Sequence, residues 1–357
     1  MRAEIDKTLP AAGAPESRRL GRSGSATRMV EVGILLYPRH HLAMVHGMTD
    51  LLQVASGFSV ARGGLPLRLT HWSMDNAGAI TRCHDTHPGN EGSPDVLIAP
   101  ALSPGVLPCP IPAEDAAPFA KWLAERYAEG ATLASTGCGA FVLAATGLLA
   151  GRSITTHWSG AENLRASFPG IHVDADKVLI DDGQIVTAGG MMAWTDLGMR
   201  LVDRLLGPTV MIEAAQFWLI DPGGREQRHY STFAPRLSHG DDTILRVQHH
   251  LQADPARSIT VADMARAAGM EQRTFLRRFK AATGMKPTEY VQHLRISKAR
   301  ERLQFTKDPV DQIAWQIGYG DVAAFRRLFH RFMGLSPGEY RRRFKANGGD
   351  ALIASSE

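Results

Sequence analysis

From Met29 onward the apolar positions change their period several times. Val30 to Tyr37 (VEVGILLY) is a nearly continuous apolar run of strand length, and residues 41–56 (HLAMVHGMTDLLQVAS) follow with helical spacing. PLRLTHWSM (66–74), DVLIAPAL (95–102) and ATLAST (131–136) read as further strands, with a helix over about 113–128. Apolar strands alternating with helices are the pattern of a mostly parallel sheet covered on both faces. The first half is therefore expected to be an α/β/α sandwich with flavodoxin-like layering. The last of these strands runs into TGCGAFVLAATGLLA (136–150), a turn of small residues that opens a helix. Strand, sharp turn and helix make the layout of a nucleophile elbow, which lifts one side chain above the sheet beside backbone N–H groups.

In the last third the pattern is helical and it repeats. Val261, Met264, Ala265, Ala268 and Gly269 recur 49 residues later as Val310, Ile313, Ala314, Ile317 and Gly318. Phe275, Arg277, Phe279, Gly284, Pro287, Glu289 and Tyr290 recur 50 residues later as Phe325, Arg327, Phe329, Gly334, Pro337, Glu339 and Tyr340. Each copy places apolar residues at i, i+3, i+4 and i+7 before a glycine, then a short amphipathic helix with a Phe pair at i, i+4. Two helix-turn-helix modules are expected, at about 261–282 and 310–333. Thr260 with Asp263, and Ser336-Pro337 with Glu339, supply N-caps, a first-turn proline and capping acids. Thr288 to about Leu303 reads as one long helix that links the two copies rigidly.

Once each Phe pair turns inward, helical geometry exposes Arg273, Leu276, Arg277 and Lys280 in the first copy and Ala323, Arg326, Arg327 and His330 in the second. Arginine bonds bidentately to guanine in the major groove, and Leu276 or Ala323 suits a thymine methyl, so these faces are candidates for reading bases. Arg295, Lys298, Arg300, Arg341, Arg342 and Arg343 are candidates for phosphate contacts, which position a protein on the duplex without reading it.

Charge follows the same division. Residues 1–240 carry 20 Lys+Arg against 23 Asp+Glu, whereas residues 241–357 carry 20 against 13. A basic unit on a slightly acidic body points to a polyanionic partner for that unit alone. The 357 residues, 44% of them apolar, suffice for two cores. No stretch reaches the roughly 18 apolar residues of a membrane helix. Residues 1–28 mix charge with Ala, Gly, Ser and Pro and hold no apolar signal core, so they are expected to be a disordered tail, as are residues 346–357, in a cytoplasmic, nucleoid-associated protein. Three cysteines, Cys83, Cys109 and Cys138, without a CxxC pair argue against a disulfide framework and a structural zinc site. No metal or cofactor is expected.

GYGDVAAFRRLFHRFMGLSPGEYRRRF (318–344) closely resembles the C-terminal signature of the AraC/XylS DNA-binding domain, and the likeness extends over residues 243–345. It implies seven helices, two of them recognition helices in successive major grooves. Arg278 stands where an apolar residue is usual, so the first copy is expected to pack less tightly there. GAFVLAATGLLAGRSITTHW (139–158) and TAGGMMAWTDLGMRLV (187–202) resemble the class I glutamine amidotransferase-like (PfpI-type) domain. Together the halves are similar to the GlxA family of transcriptional regulators. That superfamily's nucleophilic cysteine lies where this chain has Gly137, and the thiol follows one residue later at Cys138. Asp50 matches the acidic residue that many members hold beneath the cysteine, and His157 matches the TTHW histidine. Such a trio can lower a thiol pKa. The plainer reading, Cys138 as a small turn residue and His157 as a pocket wall, is preferred, and no catalytic residue is assigned. With Gly189, Gly190 and Met191, these three residues make the expected ligand pocket.

The expected organisation is a sensing and dimerisation domain over 29–220, a linker over 221–242 rich in Gly, Pro and polar residues, and a DNA-binding domain over 243–345. The expected function is sequence-specific regulation of transcription by a homodimer on double-stranded promoter DNA, under control of a small-molecule effector and with RNA polymerase as a further partner. The alternative, from another class, is a cysteine-dependent hydrolase or amidotransferase carrying a DNA-binding domain.

Overall fold

The computed structural model describes residues 29–90, 92–103, 113–221, 223 and 225–345. The two expected tails and Cys109 lie outside the described residues. The first unit runs β1 (Val30–Leu36), α1 (Leu42–Ala61), β2 (Leu67–Met74), β3 (Ile80–Asp85), β4 (Val96–Ala99), α2 (Ala113–Ala128), β5 (Thr132–Thr136) and α3 (Ala140–Ala145). It continues with β6 (Ser153–Ile154), α4 (Ala161–Ser167), β7 (His172–Val173), β8 (Leu179–Asp182), β9 (Ile185–Ala188), α5 (Trp194–Leu206) and α6 (Pro208–Trp218).

The main sheet has the order β3-β2-β1-β4-β5-β9-β8. Its five inner strands are parallel and its two edges, β3 and β8, antiparallel. Two cores lie on its opposite faces, as alternation along a strand requires. Val32 and Ile34 of β1 join α1, α5 and α6 on one face. Leu35, with Leu97 and Ala99 of β4, joins α2 and α3 on the other. The fold is the layered α/β unit expected.

The sequence pattern gave no sign of β3, and the structure shows why. ITRCHD has little apolar character, but Asp85 accepts two hydrogen bonds from the buried Arg68 at 3.0 and 2.6 Å. Arg68 in turn donates to the buried Glu31 at 3.1 Å, so an ionic ladder crosses β1, β2 and β3. The Arg68 bond holds the Asp85 carboxyl down to about 2.

The second unit contains, among the described residues, seven helices: α7 (Asp242–Ala253), α8 (Val261–Ala267), α9 (Gln272–Thr283), α10 (Pro287–Phe305), α11 (Val310–Gln316), α12 (Val322–Met333) and α13 (Pro337–Phe344). They form two cores that share one helix. Tyr290, Val291 and Leu294 of α10 pack with α7, α8 and α9, while Ile296, Ala299 and Leu303 pack with α11, α12 and α13. At 3.6 residues per turn these two sets lie on roughly opposite faces of α10. The repeat therefore extends further than the sequence comparison suggested. Ile244, Val247 and Leu251 of α7 fill in the first core the places that Ile296, Ala299 and Leu303, 52 residues on, fill in the second. Even the polar anchors correspond. Gln252 donates to Tyr290 Oη at 2.9 Å, and Gln304 to Tyr340 Oη at 2.9 Å.

Arg278 does not loosen the first module. Its guanidinium donates to both carboxylate oxygens of Asp241, at 2.9 and 2.8 Å, and Asp241 is the N-cap of α7. The second module has Leu328, packed against its apolar core, at the equivalent place.

Candidate nucleic-acid interface

In each module a tight turn containing a left-handed glycine, Gly269 (φ +63°) or Gly318 (φ +86°), joins the two helices. Thr260 begins α8 with a capping box, whereas Pro309 begins α11 without one. Phe275 and Phe279 of α9, and Phe325 and Phe329 of α12, are fully buried. Helical geometry then turns Arg273, Leu276, Arg277 and Lys280 outward on α9, and Ala323, Arg326, Arg327 and His330 outward on α12; all eight are exposed. Arg326 pairs with Asp311 at 2.8 Å and Arg327 with Asp321 at 3.8 Å. All four side chains are more than half exposed. Such pairs contribute at most about 1 kcal/mol, so they orient the guanidinium groups and yield readily to a stronger acceptor.

The six residues expected to meet phosphate separate into three groups. Arg342 is exposed, and so is Lys298, which pairs with Glu301 at 2.8 Å. Arg295, Arg300 and Arg341 are half-buried and donate to acceptors within the protein. Arg295 donates to the carbonyls of Pro255 (2.8 Å), Gly318 (3.1 Å) and Arg257 (3.2 Å) and lies over the Tyr319 ring, clipping the two modules together. Arg300 donates to Tyr340 Oη and to the Ser231 carbonyl, and Arg341 to the Asp308 carbonyl. Arg343 is exposed but donates to Tyr230 Oη at 2.9 Å and lies over that ring. Sequence position separates none of these, because their acceptors are backbone carbonyls or rings distant in the chain.

In the first unit the elbow after β5 is formed by Gly137–Gly139. The residue with positive φ (+48°) is Gly137, so the crest of the turn carries no side chain. Cys138 is buried, and its sulfur accepts the Leu102 N–H at 3.2 Å. Asp50 is exposed on α1, which corrects its expected place beneath the cysteine. His157 shares a hydrogen bond with Ser159 Oγ at 2.8 Å, accepts the Ser159 N–H as a cap, and stacks near Trp158; burial lowers its pKa. The three residues thus have separate environments: a buried thiol, a capping imidazole and an exposed carboxylate.

The space beside Gly189 is filled. A side chain there would collide with Gln227, which arrives from the interdomain segment. Gly190 is half-buried, and Met191 packs against the α2/α3 core. The segment is an ordered strap with two differently attached halves. Arg225 bonds Asp196, Gln227 is inserted behind Gly189, and the Gln227 N–H donates to the Asp176 carbonyl at 2.8 Å, all within the α/β unit. From Tyr230 the strap belongs to the helical unit. Tyr230 packs edge-on against Phe344, Phe233 against Tyr290 and His293, and Gln248 donates to the Arg236 carbonyl. Beside the strap, a cleft of about 780 Å³ lies between the units, with Trp158, Glu162 and Arg165 on one wall and Phe233, His293 and Arg331 on the other.

Fold and site define a two-unit protein in which a layered α/β domain with a glycine-crested elbow is strapped to paired helix-turn-helix modules. Comparison with known proteins agrees: residues 264–343 match the helix-turn-helix domain family, and residues 104–204 match the DJ-1/PfpI family. The chain thus joins a DJ-1/PfpI-type domain to an AraC-type helix-turn-helix domain. It is 28% identical over 218 residues to the HTH-type transcriptional regulator GlxA of Rhizobium meliloti, covering 60% of this chain and 66% of that one. It is 27% identical over 222 residues to the HTH-type transcriptional regulator CdhR of Pseudomonas aeruginosa, covering 62% and 66%. The chain thus spans just under two thirds of the length of these relatives. A crystal structure of an AraC family transcriptional regulator from Pseudomonas putida is 19% identical and covers 53% of this chain and 99% of that one, with a TM-score of 0.41. Among the described residues no helix is long and apolar enough to cross a membrane.

Proposed function

We propose that this protein is a sequence-specific DNA-binding regulator of transcription that works in the cytoplasm, on the nucleoid. The observation that carries this reading is the pair of exposed faces on α9 and α12, each set by a buried Phe pair. Arg273, Leu276, Arg277 and Lys280 read bases from one helix, and Ala323, Arg326 and Arg327 from the other. Lys298 and Arg342 contact phosphate. α10 is about 28 Å long and holds one module on each half, of the order of the 34 Å turn of B-DNA that separates successive major grooves.

The α/β unit acts as a sensor. A ligand shifts an equilibrium only by favouring one arrangement, and a cleft walled by both units meets that requirement directly. The chain works as a homodimer, a reading supported by exposed Val60, Ile212 and Phe217 on α1 and α6. RNA polymerase is a further partner at promoters. Against the cysteine-hydrolase alternative stand the buried Cys138 and the bare crest at Gly137.

The test is binding of the full chain to promoter fragments against bulk competitor DNA at physiological ionic strength, with and without a small-molecule extract of cells. A marked preference for particular fragments is expected. Equal affinity for every fragment under both conditions would remove the proposal.

A further inference from the structure

The way Gln227 is held goes beyond packing. Its Nε2 faces three acceptors, Thr155 Oγ1 at 3.0 Å, the Thr156 carbonyl at 2.9 Å and the Lys177 carbonyl at 2.8 Å. Its Oε1 accepts the Trp158 N–H at 3.2 Å. Thr155 and Thr156 are fully buried, Gln227 nearly so, and Gly189 leaves the room. The Thr155 hydroxyl spends its proton on the Lys177 carbonyl at 2.8 Å, so toward Gln227 it can only accept. The niche thus offers acceptors at one end and a donor at the other, the complement of a primary amide. A carboxylate of the same shape would put an anion against three oxygens. The niche also adjoins the elbow, because Thr156 Oγ1 donates to the Gly137 carbonyl at 2.8 Å. Trp158 and Asp176 at its margin line the interdomain cleft as well.

We propose that Thr155, Thr156, Trp158, Lys177 and Gly189 form a receptor for a primary carboxamide, that Gln227 of the strap is its tethered occupant, and that a free primary amide takes the same place. A free ligand competes with a tether whose effective concentration is on the order of millimolar, so it must place the rest of its structure in the adjoining cleft. When Gln227 leaves, the α/β half of the strap loses its central attachment. Tyr230 and Phe233, only a few residues on, are then tied to that unit more loosely, through Arg225, Glu226 and the backbone bonds to Asp176. This last step rests on the regulator reading. The receptor itself does not.

The experiment is limited trypsin cleavage of the full-length protein at Arg225 and Arg228, without DNA. Gln227→Ala is expected to raise strap cleavage by about tenfold, as for loss of a local hydrogen-bonded anchor. Acetamide replaces the deleted atoms and, with no tethered amide to compete, is expected to restore protection at about 50 mM, a concentration well above the millimolar range of the lost tether, whereas equal sodium acetate is not. Gln227→Glu, which keeps the volume, is expected to be cleaved like Gln227→Ala at neutral pH. In the unmutated chain, acetamide well above that concentration is expected to raise strap cleavage, and N,N-dimethylacetamide, which has no N–H, is not.

A Gln227→Ala strap as resistant as the unmutated one, equal effects of acetamide and acetate, or equal effects of the two amides on the unmutated chain would overturn the receptor. Operator affinity is then measured on the same proteins. A change in Gln227→Ala that acetamide reverses is expected, and an unchanged affinity would overturn the link to DNA. Failure of the unmutated chain to select any promoter would sink the regulator reading while the cleavage result stood.

Discussion

The guanidinium of Arg228 lies directly against Gly334, in the space a β-carbon on that glycine would occupy. Gly334 is the left-handed C-cap (φ +66°) of α12, and Arg228 follows the inserted Gln227, so one residue of the strap connects the α/β unit to the end of a proposed reading helix. Its counterpart Gly284 (φ +78°) caps α9 with open space around it. Both positions disfavour a side chain on backbone grounds, by about 1–2 kcal/mol. Gly334→Ala must also expel Arg228. Gly334→Ala is therefore expected to lower Tm more than Gly284→Ala and to increase strap cleavage, which Gly284→Ala does not. Equal effects of the two would show that Arg228 contributes nothing at the cap.

The exposed arginines separate by their proposed roles. Arg327→Ala is expected to lose about 1–3 kcal/mol at particular base pairs and little on random DNA. Arg342→Ala is expected to weaken all sequences alike and to reduce the slope of log K against log salt by about 1. Titrations by fluorescence anisotropy at several salt concentrations measure both. Equal losses on specific and random DNA for Arg327→Ala would end its reading role.

Arg295 is basic and lies between the modules, yet three of its five N–H donors go to the carbonyls of Pro255, Arg257 and Gly318. Arg295→Ala is expected to cost about 1–2 kcal/mol of stability, by removing those bonds between the modules. The salt slope of DNA binding is expected to stay unchanged. A fall of about 1 in that slope would return Arg295 to the phosphate contacts.

His71 gives the α/β unit a pH dependence. Burial, with smaller contributions from His84, His46 and His40, lowers its pKa to about 4. Thr49 spends its hydroxyl proton on the Val45 carbonyl, so His71 Nε2 must donate to Thr49 Oγ1, as the neutral ring does. Between pH 6.5 and about 4 the unfolded chain holds a proton on this histidine that the folded chain refuses. Stability therefore falls as pH drops through that window, by up to about 3 kcal/mol. His71→Gln retains a donor and does not titrate. Thermal melts between pH 7 and 4.5 are expected to show a shallower fall for that variant, and an identical fall would refute the assignment.

Legibility in the sequence followed where the stabilising partners lay. β1, β2, β4 and β5 could be read because their apolar runs are buried through their own composition. β3 and β8 could not, since ITRCHD and LIDD are edge strands, and β3 depends on Arg68 from another strand. The Phe pairs announced the exposed faces of α9 and α12. The kinship of α7 with the second half of α10 was hidden by a 52-residue spacing and by changes such as Gln248 to Arg300. Gln227 lay in a polar Gly- and Pro-containing segment that reads as a simple connector, because the oxygens that hold it belong to residues 155, 156 and 177. Arg278 looked like a packing fault until Asp241 was found opposite it.

Because α10 ends one module and begins the next, neither can be excised or re-phased alone. Inserting a single residue near Arg295 would swing one Phe-anchored face by about 100° and advance it by about 1.5 Å relative to the other. The angular relation between the two faces is thus written into one uninterrupted helix, and on the proposed reading new operators would be accommodated by changing side chains on α9 and α12 rather than by altering the distance between them.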